Sequence, residues 1–185
     1  MQKQKQLLLI SFFFIFSYMN AQVIDLVDPS KSVGINDWNI VNDDVMGGIS
    51  NSEIGVNDDK KLVFRGNLSL ENNGGFASSR LDISEKNLAG LKSFQIKLKG
   101  DGNTYKLRLR QNNRRVSYSC DFISKKNKWM EVNLPLNDFK PTWRGYYYSD
   151  YPDIDIDKIS SLSLHISDKQ EGRFILEIEY IKAIN

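Results

Sequence analysis

Along most of this chain hydrophobic and polar residues alternate one by one. Ser93 to Lys99 sets Phe94, Ile96 and Leu98 against Gln95, Lys97 and Lys99. Thr104 to Arg110 sets Tyr105, Leu107 and Leu109 against Lys106, Arg108 and Arg110, and Arg115 to Phe122 aligns Val116, Tyr118, Cys120 and Phe122. Leu162, Leu164 and Ile166 alternate with Ser161, Ser163, His165 and Ser167. Phe174 to Ile181 reads as a closing strand with Phe174, Leu176, Ile178 and Tyr180 on one face. A period of two is the mark of a half-buried strand, because successive side chains point to opposite faces. After Val23 no long segment keeps a helical period; short helices are predicted only near residues 82–91 and 136–139. Turn-forming clusters such as Gly47-Gly48, Asn57-Asp58-Asp59, Asn72-Asn73-Gly74-Gly75 and Gly100-Asp101-Gly102-Asn103 separate the runs. About nine or ten strands spaced this way predict an all-β, antiparallel β-sandwich. Neither a repeat nor a linker divides it, so residues 22–185 form one expected domain.

The first 21 residues follow a different pattern. Lys3 and Lys5 precede an unbroken apolar run, Leu7 to Phe16 (LLLISFFFIF), and a small residue, Ala21, follows. Positive start, short apolar core and small residue are the parts of a secretory signal peptide. The run is too short to span a bilayer, which takes about 20 residues. The expectation is an exported protein, periplasmic or secreted, with no stable membrane span once residues 1–21 are removed.

Composition narrows the chemistry. The chain is 41% hydrophobic and 26% charged, as one globular domain usually is. Removing Lys3 and Lys5 takes the 25 basic residues to 23, level with the 23 acidic ones. A neutral domain lacks the electrostatic footprint of a nucleic-acid binder. One Cys and one His exclude an internal disulfide, a Cys/His zinc site and any pair of catalytic histidines. No G-x-S-x-G elbow, dinucleotide fingerprint or P-loop occurs. No metal site, cofactor or catalytic residue is assigned.

Four features remain as candidates for binding. His165 faces away from the core with the serines, as a ligand contact or, more simply, as a solvated strand residue. Asp153, Asp155 and Asp157 alternate with isoleucines and, in a strand, would share a solvated face; a calcium loop fails because Lys158 and Leu164 stand where Gly and Glu are required. Lys106, Arg108 and Arg110 form a basic stripe that Arg114 and Arg115 extend, a surface for anionic partners or for sugars, or simply the polar side of a sandwich. The densest segment is Pro141 to Pro152, which carries Trp143, Arg144, Tyr146, Tyr147, Tyr148 and Tyr151. Aromatics with Arg dominate binding hot spots and stack on sugar rings; the alternative is a loop folded back over one end of the core.

Several stretches together resemble one family. They are Trp38 to Ser50 (WNIVNDDVMGGIS), Gly66 to Arg80 (GNLSLENNGGFASSR), Gly100 to Arg110 (GDGNTYKLRLR), Trp129 to Gly145 (WMEVNLPLNDFKPTWRG) and the closing GRFILEIEYI. Their order and spacing are similar to those of the NADH:ubiquinone oxidoreductase complex I intermediate-associated protein 30 family. The resemblance implies a galactose-binding-like jelly roll, like that of several carbohydrate-binding modules. It also implies an assembly-chaperone role, which mitochondrial members play for respiratory complex I, and it carries over no catalytic residue. The family motif residues here are Asn42, Asp43, Asp44, Gly47, Gly48, Gly74, Gly75 and Arg80. The glycine pairs permit positive φ and close approach, Asn42, Asp43 and Asp44 suit turn capping, and Arg80 is expected to pair with Asp43 or Asp44. The export signal departs from the mitochondrial members, which carry a transit peptide. The function expected first is therefore a non-enzymatic, exported, chaperone-like domain that binds a protein partner. A carbohydrate-binding module is the alternative, using Arg108, Arg110 and His165 or the Trp143–Tyr151 segment. A glycoside-processing enzyme ranks last.

Overall fold

The computed structural model describes residues 22–112 and 114–185, so the expected export signal lies outside the described residues. Two antiparallel sheets pack face to face. One runs β3 (Asn51–Val56), β4 (Leu62–Leu68), β13 (Gly172–Ile184), β6 (Ser93–Gly100) and β9 (Trp129–Pro135), with β1 (Val23–Val27) paired to the far end of β13. The other runs β11 (Tyr146–Tyr147), β10 (Lys140–Trp143), β8 (Ser117–Ile123), β7 (Thr104–Gln111), β12 (Ile159–Ile166), β5 (Ala77–Asp82) and β2 (Asn39–Ile40). Among the described residues there is no α-helix, and so no helix long and apolar enough to cross a membrane.

The alternation seen in the sequence builds the core. Phe94, Ile96 and Leu98 of β6 and Phe174, Leu176 and Ile178 of β13 meet Tyr105, Leu107 and Leu109 of β7 and Leu162, Leu164 and Ile166 of β12. Most of these side chains are wholly buried. Cys120 sits in the same core, and burial pushes its thiol pKa up to about 11. Removing apolar surface from water on this scale is the main term holding the two sheets together.

Three expectations need correction. Residues 82–91 form two separate turns rather than a helix. The Asp82 carboxylate accepts from Ser84 N and Oγ at 2.8 and 2.5 Å, Lys86 N donates to Ile83 O, and Gly90 takes φ 78°. The turns still bury Ile83, Leu88 and Leu91, the apolar spacing that reads as helical in the sequence. Residues 136–138 do form a single 3-10 turn. In β13 the pairing with β6 shifts register between Ile178 and Tyr180. This bulge turns Ile181 and Ala183 inward and leaves Tyr180 at the surface, the reverse of simple alternation. Asp153, Asp155 and Asp157 lie on no strand: Asp155 caps a 3-10 turn through Asp157 N at 3.2 Å and pairs with Lys158.

Candidate ligand-binding face

The face of the seven-stranded sheet that points away from the core is laid out in rows by the strand registers. One row holds Asn39, Arg80, Ser163, Arg108, Ser119 and Lys140. The next holds Asp82, Ser161, Arg110, Ser117, Thr142 and Tyr147. On the other side of the first row lie Ser78, His165, Lys106 and Asp121. Arg108 and Arg110 each have a serine directly opposite on both neighbouring strands. At about 4.8 Å per strand, the seven strands make a face roughly 29 Å wide.

Charge on this face is compensated at one end only. Lys106 reaches Asp121 and Asp168, both at 2.7 Å. Burial works against its charge, but the two aspartates outweigh burial and raise its pKa. Arg80, Arg108 and Arg110 have no carboxylate within 4.0 Å among the described residues. Asp82, the acid in their rows, is turned toward Ser84. Arg108 Nε, Arg110 Nε and Ser119 Oγ are buried and have no hydrogen-bond partner among the described residues. Burial, then repulsion from Arg110 and Arg80, pulls the Arg108 pKa down to about 10; burial and Arg80 lower that of Arg110. Arg108 therefore stays protonated at neutral pH. Like charges at this spacing cost the fold on the order of 1 kcal/mol per neighbouring pair.

His165 is not the solvated strand residue expected from the sequence. It is 7% exposed, stacked on Phe76 at 5.6 Å, with Arg108 Nη1 3.4 Å from its Nδ1. An arginine only donates, so Nδ1 accepts and the ring is neutral with its proton on Nε2. Burial, then the charges of Arg108 and Lys106, hold its pKa well below the ordinary histidine value.

The aromatic segment forms the rim. Trp143 pairs with Tyr146 across a two-residue turn in which Arg144 and Gly145 take φ 50° and 81°, the left-handed pair that tight hairpins use. Arg144 stacks over Trp143 at 4.8 Å. Tyr151 folds back onto Tyr118, whose hydroxyl donates to Pro152 O at 2.7 Å. Tyr146 and Tyr147 stay 73% and 55% exposed, and Tyr148 less so. Tyr147 shares the Arg110 row and lies within electrostatic reach of Arg108. Arg114 is 5.9 Å from the Tyr151 ring, in the loop outside the rows.

At the opposite rim, past β2, a single buried acid ties two loops together. Asp43 Oδ1 accepts from Ser50 N at 2.9 Å; its Oδ2 accepts from Ser50 Oγ, Gly75 N and Phe76 N at 2.5, 2.6 and 3.2 Å. Burial raises its pKa, and these hydrogen bonds outweigh burial and hold it below the ordinary carboxylate range. A Cβ on Gly48 would stand 2.4 Å from this carboxylate, and one on Gly74 2.7 Å. Gly47 and Gly75 instead take positive φ. Asn42 Oδ1 accepts from Ser52 Oγ and Ser78 N, while Asp44 is exposed.

Residues 25–178 match complex I intermediate-associated protein 30. The chain belongs to that family. It is 29% identical over 99 residues to the mitochondrial complex I intermediate-associated protein 30 of Mus musculus, covering 46% of this chain and 28% of the mouse protein. An uncharacterized protein of Schizosaccharomyces pombe is 28% identical over 170 residues, covering 80% of this chain and 78% of the yeast one. Among solved structures, the family 11 carbohydrate-binding module of a Clostridium thermocellum cellulosomal cellulase superposes with a TM-score of 0.63 at 12% identity, covering 88% of this chain and 93% of the module. That likeness shows the fold: a galactose-binding-like jelly roll.

Two of the family motifs thus meet at Asp43: its own segment, Asn42 to Ser50, and the Gly74–Phe76 segment. Arg80 does not join them. It lies in β5 beside Arg108 and Arg110, because the strand register sends its side chain to the open face while the Asp43 oxygens are taken by Ser50, Gly75 and Phe76. The joined loops leave Val45, Met46 and Ile49 exposed. Sequence alternation put Ser161 and Ser163 on the outward face but assigned no binding role to them or to Ser78, Ser117 and Ser119. Their signal was available as a serine at five of the ten outward positions of β5, β8 and β12.

Proposed function

We propose that this protein is an exported, non-catalytic binding domain that holds a carbohydrate chain across the open face of its seven-stranded sheet. One observation carries this: exposed Tyr147 stands at the rim of a serine-lined face that bears three arginines with no carboxylate partner among the described residues. Tyrosine rings supply stacking surface, and guanidinium and hydroxyl groups suit the alternating donors and acceptors of a sugar. The similar Clostridium thermocellum module is a carbohydrate-binding one, which supports the same direction at the level of fold alone. A glycan array tests the proposal on protein expressed from its full-length sequence. Specific signal is expected, and is expected to vanish in a folded Tyr146→Ala, Tyr147→Ala, Tyr148→Ala variant. An array without signal, or signal that survives the triple change, contradicts it. The N terminus of the same preparation is expected near Gln22; a chain still starting at Met1 contradicts export.

A second reading, a protein partner, rests on family membership and on the exposed Val45, Met46 and Ile49. Pull-down from the exported fraction with Val45→Ser/Met46→Ser protein, losing a partner that the parent retains, is its expected signature. Retention of the same partner by both proteins counts against it.

A further inference from the structure

Resting on the glycan-binding proposal above, we infer that the glycan is acidic, a chain bearing carboxylate groups such as a uronate oligosaccharide, which Arg80, Arg108 and Arg110 neutralise. Of the five other partly or fully buried cations among the described residues, four are matched by a carboxylate, and the fifth, Lys182, sits over the Tyr180 ring at 3.9 Å. Lys61 and Lys97 share Glu179, Lys99 holds Glu177, and Lys106 holds two aspartates. The three arginines break this pattern together, on two strands separated only by β12. Buried polar groups ordinarily find partners, and those that do not call for a reason. Arg108 Nε and Arg110 Nε are two such groups, and Ser119 Oγ, in the Arg108 row, is a third. A carboxylate approaching from the open face can accept from a guanidinium in the two-pronged geometry that arginine favours.

The side chains directly opposite the arginines are small. Ser161 and Ser117 flank Arg110, and Ser163 and Ser119 flank Arg108, so each arginine has only a hydroxymethyl side chain directly opposite it on both adjacent strands. The acids within the rows are engaged, Asp82 by Ser84 and Asp121 by Lys106. Tyr147 places an exposed ring in the same row as Arg110, which favours a sugar ring carrying the acid over an acidic peptide, for which stacking platforms are idle. The near-neutral charge of the domain confines the attraction to this patch and disfavours long polyanions.

The test is calorimetric titration of the protein, expressed from its full-length sequence, with galacturonate and mannuronate hexamers and with their carboxyl-reduced, neutral counterparts. At least one uronate hexamer is expected to bind, and its reduced form to bind at least about tenfold more weakly. Ser119→Asp sets a carboxylate opposite Arg108. It is expected to abolish binding while raising the melting temperature, a pair of effects that misfolding does not produce. Arg110→Gln, if it melts like the parent, is expected to weaken uronate binding by a larger factor than it weakens binding of the neutral hexamers. Equal binding of acidic and reduced hexamers, both lost in Tyr147→Ala, overturns the acidic assignment and leaves the glycan face standing. No binding of either set overturns the acidic assignment, and an array without signal overturns the glycan face as well. Poly-glutamate, a sulfated oligosaccharide or an oligodeoxynucleotide binding as tightly as the uronates overturns the inference in favour of an unselective anion surface.

Discussion

Replacing Asp43 with alanine is expected to lower the unfolding free energy by about 3–5 kcal/mol, a large share of the roughly 5–15 kcal/mol that holds most domains. The residue is fully buried and accepts four hydrogen bonds, three of them from backbone amides. Hydrogen bonds to a carboxylate are about twice as strong as neutral ones, and removing the acceptor leaves buried donors unpaired. Asp43→Asn keeps the shape but presents donors to donors, so it is expected to lose nearly as much. For a domain of this size the melting temperature drops by on the order of 10 °C. Gly48→Ala is destabilising for a related reason, since the added Cβ would stand 2.4 Å from the same carboxylate. The two effects share one cause, so the double variant is expected to lose clearly less than their sum. Denaturant unfolding of the three proteins measures this. Additivity, or a loss below about 1 kcal/mol for Asp43→Ala, counts against the stitch between the loops.

Acidification below pH 6.5 is expected to destabilise the protein through His165, before the carboxylates contribute. The folded protein keeps this ring neutral, with a pKa well below 6.5, through burial and the facing charges of Arg108 and Lys106. The aspartates nearest the group, Asp121 and Asp168, are bound to Lys106, and the other neighbour is the uncharged Phe76. The unfolded chain takes up a proton near pH 6.5, so below that value it binds more protons than the folded one. Stability is thus fully present above pH 6.5 and is lost as pH falls toward the folded value, by up to about 1.4 kcal/mol per pH unit. Asp28, Asp43, Asp82, Asp155 and Glu179 also have lowered pKa values, but their ordinary values of 3.8 and 4.5 put those losses at more acid pH. Urea unfolding between pH 7.5 and 5 is expected to show this slope. His165→Gln is expected to flatten it. A flat profile in the parent, or an unchanged slope in the variant, contradicts a buried neutral imidazole.

The strands were legible because burial on one face imposes a period of two, which β6, β7 and β8 keep throughout and β12 keeps from Ser161 onward, after a register shift at its start. The bulge in β13 was not legible. One extra residue reverses the facing of Tyr180 and Ile181, and nothing local in the run Glu177 to Ile181 announces it. The turns at 82–91 imitated a helix because Ile83, Leu88 and Leu91 reach the core from irregular backbone. On the open face, sequence alternation identified Arg108, Arg110 and His165 as sharing a side. It did not give their burial, which depends on Phe76 and on strand β5 lying alongside β12. The position of Arg80 was hidden for the same reason: its neighbours come from β12 and β7, remote in the chain. Asp43 was identified as a capping residue, but its partners at Gly75 and Phe76 lie more than 30 residues away.

Ligand is expected to bind across the open face of the seven-stranded sheet. Amide chemical-shift mapping during titration with the glycan retained most strongly on the array tests it most directly. Shifts are expected to cluster at Arg80, Arg108, Arg110, Ser119, Ser163 and Tyr147, with the Val45–Ile49 loop unmoved. Shifts confined to that loop or to the outer face of the six-stranded sheet, or no shifts with any glycan, would contradict the account.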